Sequence, residues 1–214
     1  MKILFYGYRD WSFKIFNQIN FDKKYLITHD DYEIINQVKP NLIFFIGWSN
    51  IIPDNIVNNN ICICLHPSPL PKYRGGTPIQ HQIINNEKES AVSLFIMDDG
   101  LDTGDILYQS NFSLEGKLDD IFDRIIKGGV DGINFIINNY DKIDYIRKPQ
   151  NNELSTTYKR RKESDSEITF DEILNNDPVY LYNKIRSLND PYPNAYIKCK
   201  DGKKIYILDS KYEK

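Results

Sequence analysis

Two loops carry the side chains best suited to chemistry. One runs His66-Pro67-Ser68-Pro69-Leu70-Pro71-Lys72-Tyr73-Arg74-Gly75-Gly76-Thr77-Pro78-Ile79-Gln80, the other Met97-Asp98-Asp99-Gly100-Leu101-Asp102-Thr103-Gly104-Asp105. Each follows an apolar, strand-like run. An imidazole and a carboxylate that meet at the ends of neighbouring strands can do general acid–base work. Four prolines and two glycines give the first loop a stiff, irregular backbone, a good platform for a titratable side chain at its root. Read singly, each loop has a plainer meaning. A histidine after a strand often serves as a structural hydrogen-bonding group. The acidic loop reads equally as a solvated turn or an oxygen-rich cation site, although it lacks the EF-hand spacing. Lys72 and Arg74 read alone as surface charges.

The elements that must position these loops are legible in the apolar pattern. Runs at 3–6, 25–28, 42–46, 61–65 and 91–97 are continuous in Ile, Leu, Phe, Val and Cys and are bounded by Gly, Pro and Asn. Such runs fit strands covered on both faces, as in a parallel sheet. Helical candidates lie between them at 11–19, 31–38 and 78–85, the last with Thr77 as N-cap and Pro78 at the first helical position. The alternation predicts an α/β, Rossmann-like, doubly wound and mostly parallel sheet. In such sheets ligands bind outside the carboxyl ends of the strands.

Residues 119–137 carry Ile121, Phe122, Ile125, Ile126, Val130, Ile133 and Ile137, the stripe of a long amphipathic helix. Gly128-Gly129 weakens it by about 1 kcal/mol per glycine relative to Ala, so a kink or a close packing contact is expected there. Residues 145–147 read as a last strand of the main sheet. Beyond residue 148 the texture changes to a polar arm (151–166), a helix (178–188) and a β-hairpin (195–198 and 203–208) around Asp201-Gly202. The expected organisation is a catalytic domain over 1–148, with the arm, helix and hairpin of 149–214 packed on it. Gly7-Tyr8-Arg9-Asp10-Trp11-Ser12, after the first strand, is neither a dinucleotide fingerprint nor a P-loop, so the sheet does not imply NAD or ATP.

Composition narrows the function classes. Lys and Arg total 27 against 30 Asp and Glu, a net charge of −3, which argues against a surface built for nucleic acid. One basic cluster stands out, Tyr158-Lys159-Arg160-Arg161-Lys162. The three cysteines (Cys62, Cys64 and Cys199) have no CxxC spacing and offer neither a disulfide framework nor a zinc site. No segment approaches the ~18 apolar residues of a membrane span, and Met1-Lys2-Ile3-Leu4-Phe5-Tyr6-Gly7 enters a strand without a leader pattern. A cytoplasmic protein with reduced thiols, free of membrane and metal, is the expectation. The tail hairpin offers an edge through which a homodimer would pair.

Taken together, the loops resemble the folate-dependent formyltransferase family. The matching pieces are His66-Pro-Ser-x-Leu-Pro-Lys-Tyr-Arg-Gly-Gly-x-Pro-Ile-Gln80 and Asp99-Gly-Leu-Asp-Thr-Gly-Asp105, with His66 and Asp102 36 positions apart. The likeness spans residues 1 to about 148. It continues weakly through Tyr158-Lys159-Arg160-Arg161 and Ile185-Arg186…Pro191-Tyr192-Pro193-x-Ala195-Tyr196. The resemblance implies an enzyme that passes a formyl group from 10-formyltetrahydrofolate to an amine without a metal. His66 would donate a hydrogen bond to the oxygen that gains charge, and Asp102 would orient the imidazole and help remove the amine proton. Fixed donors of this kind are worth about 3–4 kcal/mol each. The family usually has Asn two residues before the histidine; here Cys64, a poor donor, stands there. Losing that amide would slow the reaction about 100–1000-fold unless another group replaces it. A cysteine nucleophile is not expected, because amine formylation needs no covalent intermediate. The resemblance places the folate near Trp48, Ser49, Ile51, Ile52 and Asp102.

Among acceptors, a nucleotide-linked amino-deoxy sugar fits best, such as a dTDP- or UDP-linked 4-amino-4,6-dideoxyhexose used in glycan biosynthesis. Lys72, Arg74, Arg160 and Arg161 are candidates for its pyrophosphate, and Tyr8, Arg9, Trp11 and Tyr192 for its sugar or base. In this family a tRNA acceptor goes with a further barrel-like C-terminal domain and a basic surface, which this acidic 214-residue sequence does not display. Glycinamide ribonucleotide enzymes typically lack the Lys-Tyr-Arg-Gly-Gly continuation. A folate deformylase that uses water and a catalytically impaired binding homologue complete the alternatives.

Overall fold

The computed structural model describes residues 1–190 and 192–213; Pro191 of the weak tail likeness lies outside them. In chain order the elements are β1 (Ile3–Tyr6), α1 (Asp10–Gln18), β2 (Lys24–Ile27), α2 (Ile34–Val38), β3 (Leu42–Ile46), α3 (Asp54–Asn59), β4 (Cys62–His66), β5 (Arg74–Gly75), α4 (Pro78–Ile84), β6 (Glu89–Ile96) and β7 (Ile106–Ser113). There follow α5 (Leu118–Asn138), α6 (Ile143–Ile146), β8 (Thr157–Tyr158), α7 (Phe170–Asn175), α8 (Pro178–Arg186), β9 (Ala195–Lys198) and β10 (Lys204–Ile207).

The main sheet has six strands in the order β2-β1-β3-β4-β6-β7. The first four run parallel; β6 is antiparallel to β4, and β7 to β6. Every residue of β1 and β3 is buried, which explains why their sequences are uninterrupted Ile, Leu, Phe and Tyr. The chain winds from β1 to β2 on one side and returns to β3 on the other. That reversal opens a crevice at the carboxyl ends of β1 and β3, where open α/β sheets bind ligands.

α5 is one continuous helix of 21 residues, so its glycines mark close packing. A Cβ at Gly129 would stand 2.7 Å from Ile15 Cδ1 and 2.8 Å from Leu65 Cδ1, which draws α5 tightly onto α1 and β4.

Two expectations need correction. Residues 145–147 do not form a strand: Ile143 and Ile146, three apart, turn onto the core as α6 while Tyr145 is exposed, and only Lys148 bridges to Ile106. The last main-sheet strand is β7, hidden in the sequence because an edge strand needs few apolar residues. Thr77 does not cap α4 with its side chain; its φ is +49°, and its Oγ1 accepts the Arg161 N–H instead.

The tail has a small core of Ile168, Ile185, Leu188 and Ala195. It is stitched to the main body at several points. β8 pairs parallel with β5, Tyr192 stacks on Phe122, and the Arg186 guanidinium donates to the carbonyls of Leu114 and Gly116.

Candidate active site

His66 ends β4 and shares a strand face with Cys64, two residues earlier. The loop that follows is stapled to the sheet. Ser93 Oγ donates to the Ser68 carbonyl, Gln109 Nε2 to the Leu70 carbonyl, and Ser68 Oγ to the Lys72 carbonyl. These bonds turn the chain back so that the Tyr73 carbonyl lies 2.8 Å from His66 Nε2. Nε2 therefore carries a hydrogen and donates. The other ring nitrogen, Nδ1, faces Asp102 Oδ2 at 3.5 Å. That separation exceeds a charge-assisted hydrogen bond, so Nδ1 is the nitrogen with capacity to spare. The two side chains are 8 % and 14 % exposed, enough to meet a ligand and little enough to keep solvent from screening the pair.

Asp102 is held from both sides of the pair. Its Oδ2 accepts the Gly75 N–H at 2.8 Å, and its backbone is left-handed with φ +54°. Gly75, at φ +93°, can have no side chain, because a Cβ would collide with the Tyr158 carbonyl across the β5–β8 pairing. The neighbouring acids do other things. Asp98 Oδ1 accepts from the Thr103 hydroxyl and the Gly100 N–H and so closes its own loop, and Asp105 pairs with Arg147. Among the described residues no group of three or more His, Cys, Asp or Glu is placed to hold a metal.

A cleft of about 790 Å³ opens over the pair. Its walls include Cys64, His66 and Asp102, the expected folate residues Trp48, Ser49, Ile51 and Ile52, and Arg9, Trp11, Arg160, Arg161 and Tyr192. Burial first, and the Asp102 charge second, push the Cys64 thiol well above its ordinary range, so it stays neutral. Ile52 is buried among Leu4, Tyr6 and Phe45, whereas Ile51 is 95 % exposed at the rim. Trp48 packs edge-on against Tyr6 and Tyr8, and its side chain reaches the buried Tyr32 hydroxyl.

Residues 9–119, slightly more than half of the chain, match the family model described as formyl transferase. The chain belongs to the formyl transferase family. It is 37 % identical over 185 residues to the methionyl-tRNA formyltransferase of Rickettsia bellii, a match covering 84 % of this chain and 58 % of that protein. The chain thus spans somewhat more than half the length of the curated relatives it matches. Among solved structures, the methionyl-tRNA formyltransferase from Clostridium thermocellum superposes with a TM-score of 0.80 at 29 % identity, covering 97 % of both chains. A 4-N formyltransferase from Francisella tularensis shares the fold at 19 % identity, with a TM-score of 0.77 and coverage of 100 % and 98 %.

Three expected substrate residues lie elsewhere in this chain. Tyr8 is outside the cleft lining, its ring in contact with Trp48 and the Arg9 guanidinium. Lys72 is outside the cleft wall. Arg74 is only 6 % exposed, and its guanidinium is spent on Gln150 Oε1 and Asn152 Oδ1, so it is not free for a phosphate. Pairing of β5 with β8 turned it inward. Burial pushes the Arg161 guanidinium down; its Nη2 donates to the Asp165 carbonyl while Nε is buried without a partner. Burial pushes the Tyr192 hydroxyl up, against the Gln80 amide, Arg9 and Arg160.

Two further residues carry weight. Gln80 is 2 % exposed and lines the cleft with its side-chain amide against the Tyr192 hydroxyl; it closes the first motif, which was its only signal. Gln150 reaches Asp102 itself, and nothing in its type or spacing marks it.

Proposed function

We propose that this protein transfers a formyl group from 10-formyltetrahydrofolate to an amine, with His66 and Asp102 as the working pair. The observation that carries the reading is the pair itself, facing across 3.5 Å in a cleft at the sheet's switch point. The cleft suits a folate. Ile51 and Leu101, 95 % and 60 % exposed, offer apolar surface at its rim. Trp48, Ser49, Ile51, Ile52 and the loop leading to Asp102 would hold the folate, which supplies the formyl group.

The chain's own residues do the rest. His66 Nε2 is committed to the Tyr73 carbonyl, which fixes the ring; Nδ1 donates to the formyl oxygen as it gains charge when the ring is the doubly protonated imidazolium, the form that the facing Asp102 carboxylate favours. Asp102 Oδ2 is anchored by the Gly75 N–H; among the described residues nothing donates to Oδ1, which is left to receive the proton of the attacking amine, and the folate nitrogen would take up that proton as its bond to the formyl carbon breaks. Cys64 contributes a neutral thiol, a weaker donor than the amide the resemblance leads one to expect.

For the acceptor we favour a nucleotide-linked amino sugar. Arg9, Lys159, Arg160 and Arg161 share the cleft with Trp11 and Tyr192, which suits a pyrophosphate and a stacked base or sugar. A methionyl-tRNA acceptor is the second reading, favoured by the name of the 37 % identical relative. A single-turnover assay with 10-formyltetrahydrofolate decides between them. Its arms contain dTDP- and UDP-linked amino sugars, methionyl-tRNA, glycinamide ribonucleotide, or no acceptor. Formylation of an amino sugar supports the first reading, and of methionyl-tRNA alone the second. Formate release without an acceptor indicates a deformylase. Folate binding without any turnover overturns formyl transfer.

A further inference from the structure

We infer that Gln150 is a positioning residue for the catalytic pair, a clamp through which the C-terminal arm sets the backbone of Asp102. The inference rests on reading His66 and Asp102 as the formyl-transfer centre. The Gln150 side-chain amide makes all four hydrogen bonds open to it. Nε2 donates to the Asp102 carbonyl at 2.9 Å and to the Gly104 carbonyl at 2.7 Å. Oε1 accepts from Arg74 Nε at 3.2 Å and Nη2 at 2.7 Å. A flipped amide would put NH₂ against the guanidinium, so the orientation is determined. Arg74 Nη2 also donates to Asn152 Oδ1, which ties the arm a second time, two residues beyond Gln150.

The clamp acts where the loop is least able to hold itself. Asp102 has a left-handed backbone, unusual for a residue with a side chain. Its carboxylate is pinned at one oxygen by Gly75, the residue after Arg74. Gln150 therefore joins both motif loops: through Arg74 it grips the loop that carries His66, and through two carbonyls the loop that carries Asp102. Freed of Gln150, the Asp102 backbone can rotate and the carboxylate can swing away from Nδ1. A displacement of about 1 Å in such a pair costs about 100-fold in rate.

The test compares Gln150→Glu and Gln150→Ala with the wild-type chain. Glutamate keeps one acceptor oxygen for Arg74 but points its other oxygen, a second acceptor, at the two carbonyls. It should fold while losing the clamp, and it carries the test if the alanine variant does not fold. We expect kcat to fall about 10–100-fold with KM for 10-formyltetrahydrofolate little changed. The second readout is the ¹⁵N and ¹H resonances of the His66 ring in the ligand-free protein, with Asp102→Asn as reference. Gln150→Glu should move them in the sense that Asp102→Asn does; general loosening elsewhere would leave them in place. A kcat within about twofold of wild type, or unchanged ring resonances, overturns the inference. If the wild-type chain formylates no acceptor, the formyl-transfer reading fails, and the ring resonances alone decide whether the clamp exists.

Discussion

Asp102→Asn separates what this carboxylate does for the fold from what it does for the reaction. The substitution keeps side-chain volume. Asparagine tolerates the left-handed backbone recorded at this position, φ +54°. Its carbonyl can still accept the Gly75 N–H that Oδ2 accepts at 2.8 Å. Two things are lost: the charge 3.5 Å from His66 Nδ1, and the oxygen that takes up the amine proton. Removing a positioned general base costs about 10²–10⁴ in rate, or about 3–5 kcal/mol of barrier. Asp102→Ala loses the same chemistry and in addition orphans the Gly75 N–H, at a stability cost of about 1–3 kcal/mol. The two variants should therefore be equally slow and unequally stable. Single-turnover formylation gives the rate, urea unfolding the stability, and quenching of tryptophan fluorescence the folate affinity, which should barely change. An Asp102→Asn enzyme within tenfold of wild type would refute the role assigned to the pair.

Cys64→Asn supplies an amide donor beside His66, and should raise the single-turnover rate by about tenfold or more; an unchanged or lower rate shows that another group already fills that place. Gly132→Ala drives a methyl into Leu94 Cδ1 and to 2.5 Å from Tyr108 Cδ1, and should lower unfolding free energy by about 1–3 kcal/mol in urea without altering folate affinity. Burial pushes the Glu172 carboxyl up, but bonds from Lys184, the Thr169 N–H and Tyr180 outweigh it and leave the group below its ordinary 4.5. A lowered acid stabilises the fold above its unfolded value and loses that contribution as pH falls through the folded one. Melting temperature should therefore drop below about pH 4.5, and Lys184→Met should flatten that part of the curve.

The strand runs were legible because a continuous stretch such as Leu42–Ile46 has nowhere to go but a sheet covered on both faces. The same logic missed β7: an edge strand buries only some of its side chains, so its sequence alternates weakly and resembles a loop. The Gly128-Gly129 pair posed a choice between a kink and a tight contact. Only the positions of Ile15 and Leu65, far away in sequence, resolved it.

The candidate site divides along the same line. Residue type marked the two loops, and the resemblance of their motifs to the formyltransferase family singled out His66 and Asp102 within them. What each nitrogen and oxygen faces was decided by the tertiary structure. Arg74 sits inside the most specific motif and reads as a phosphate binder. Pairing with Thr157, 83 positions later, turns it instead onto Gln150 and gives the Asp102 loop its brace. A long side chain has several directions open to it. Which one it takes depends on the backbone laid beside it, and that contact exists only once distant segments have come together.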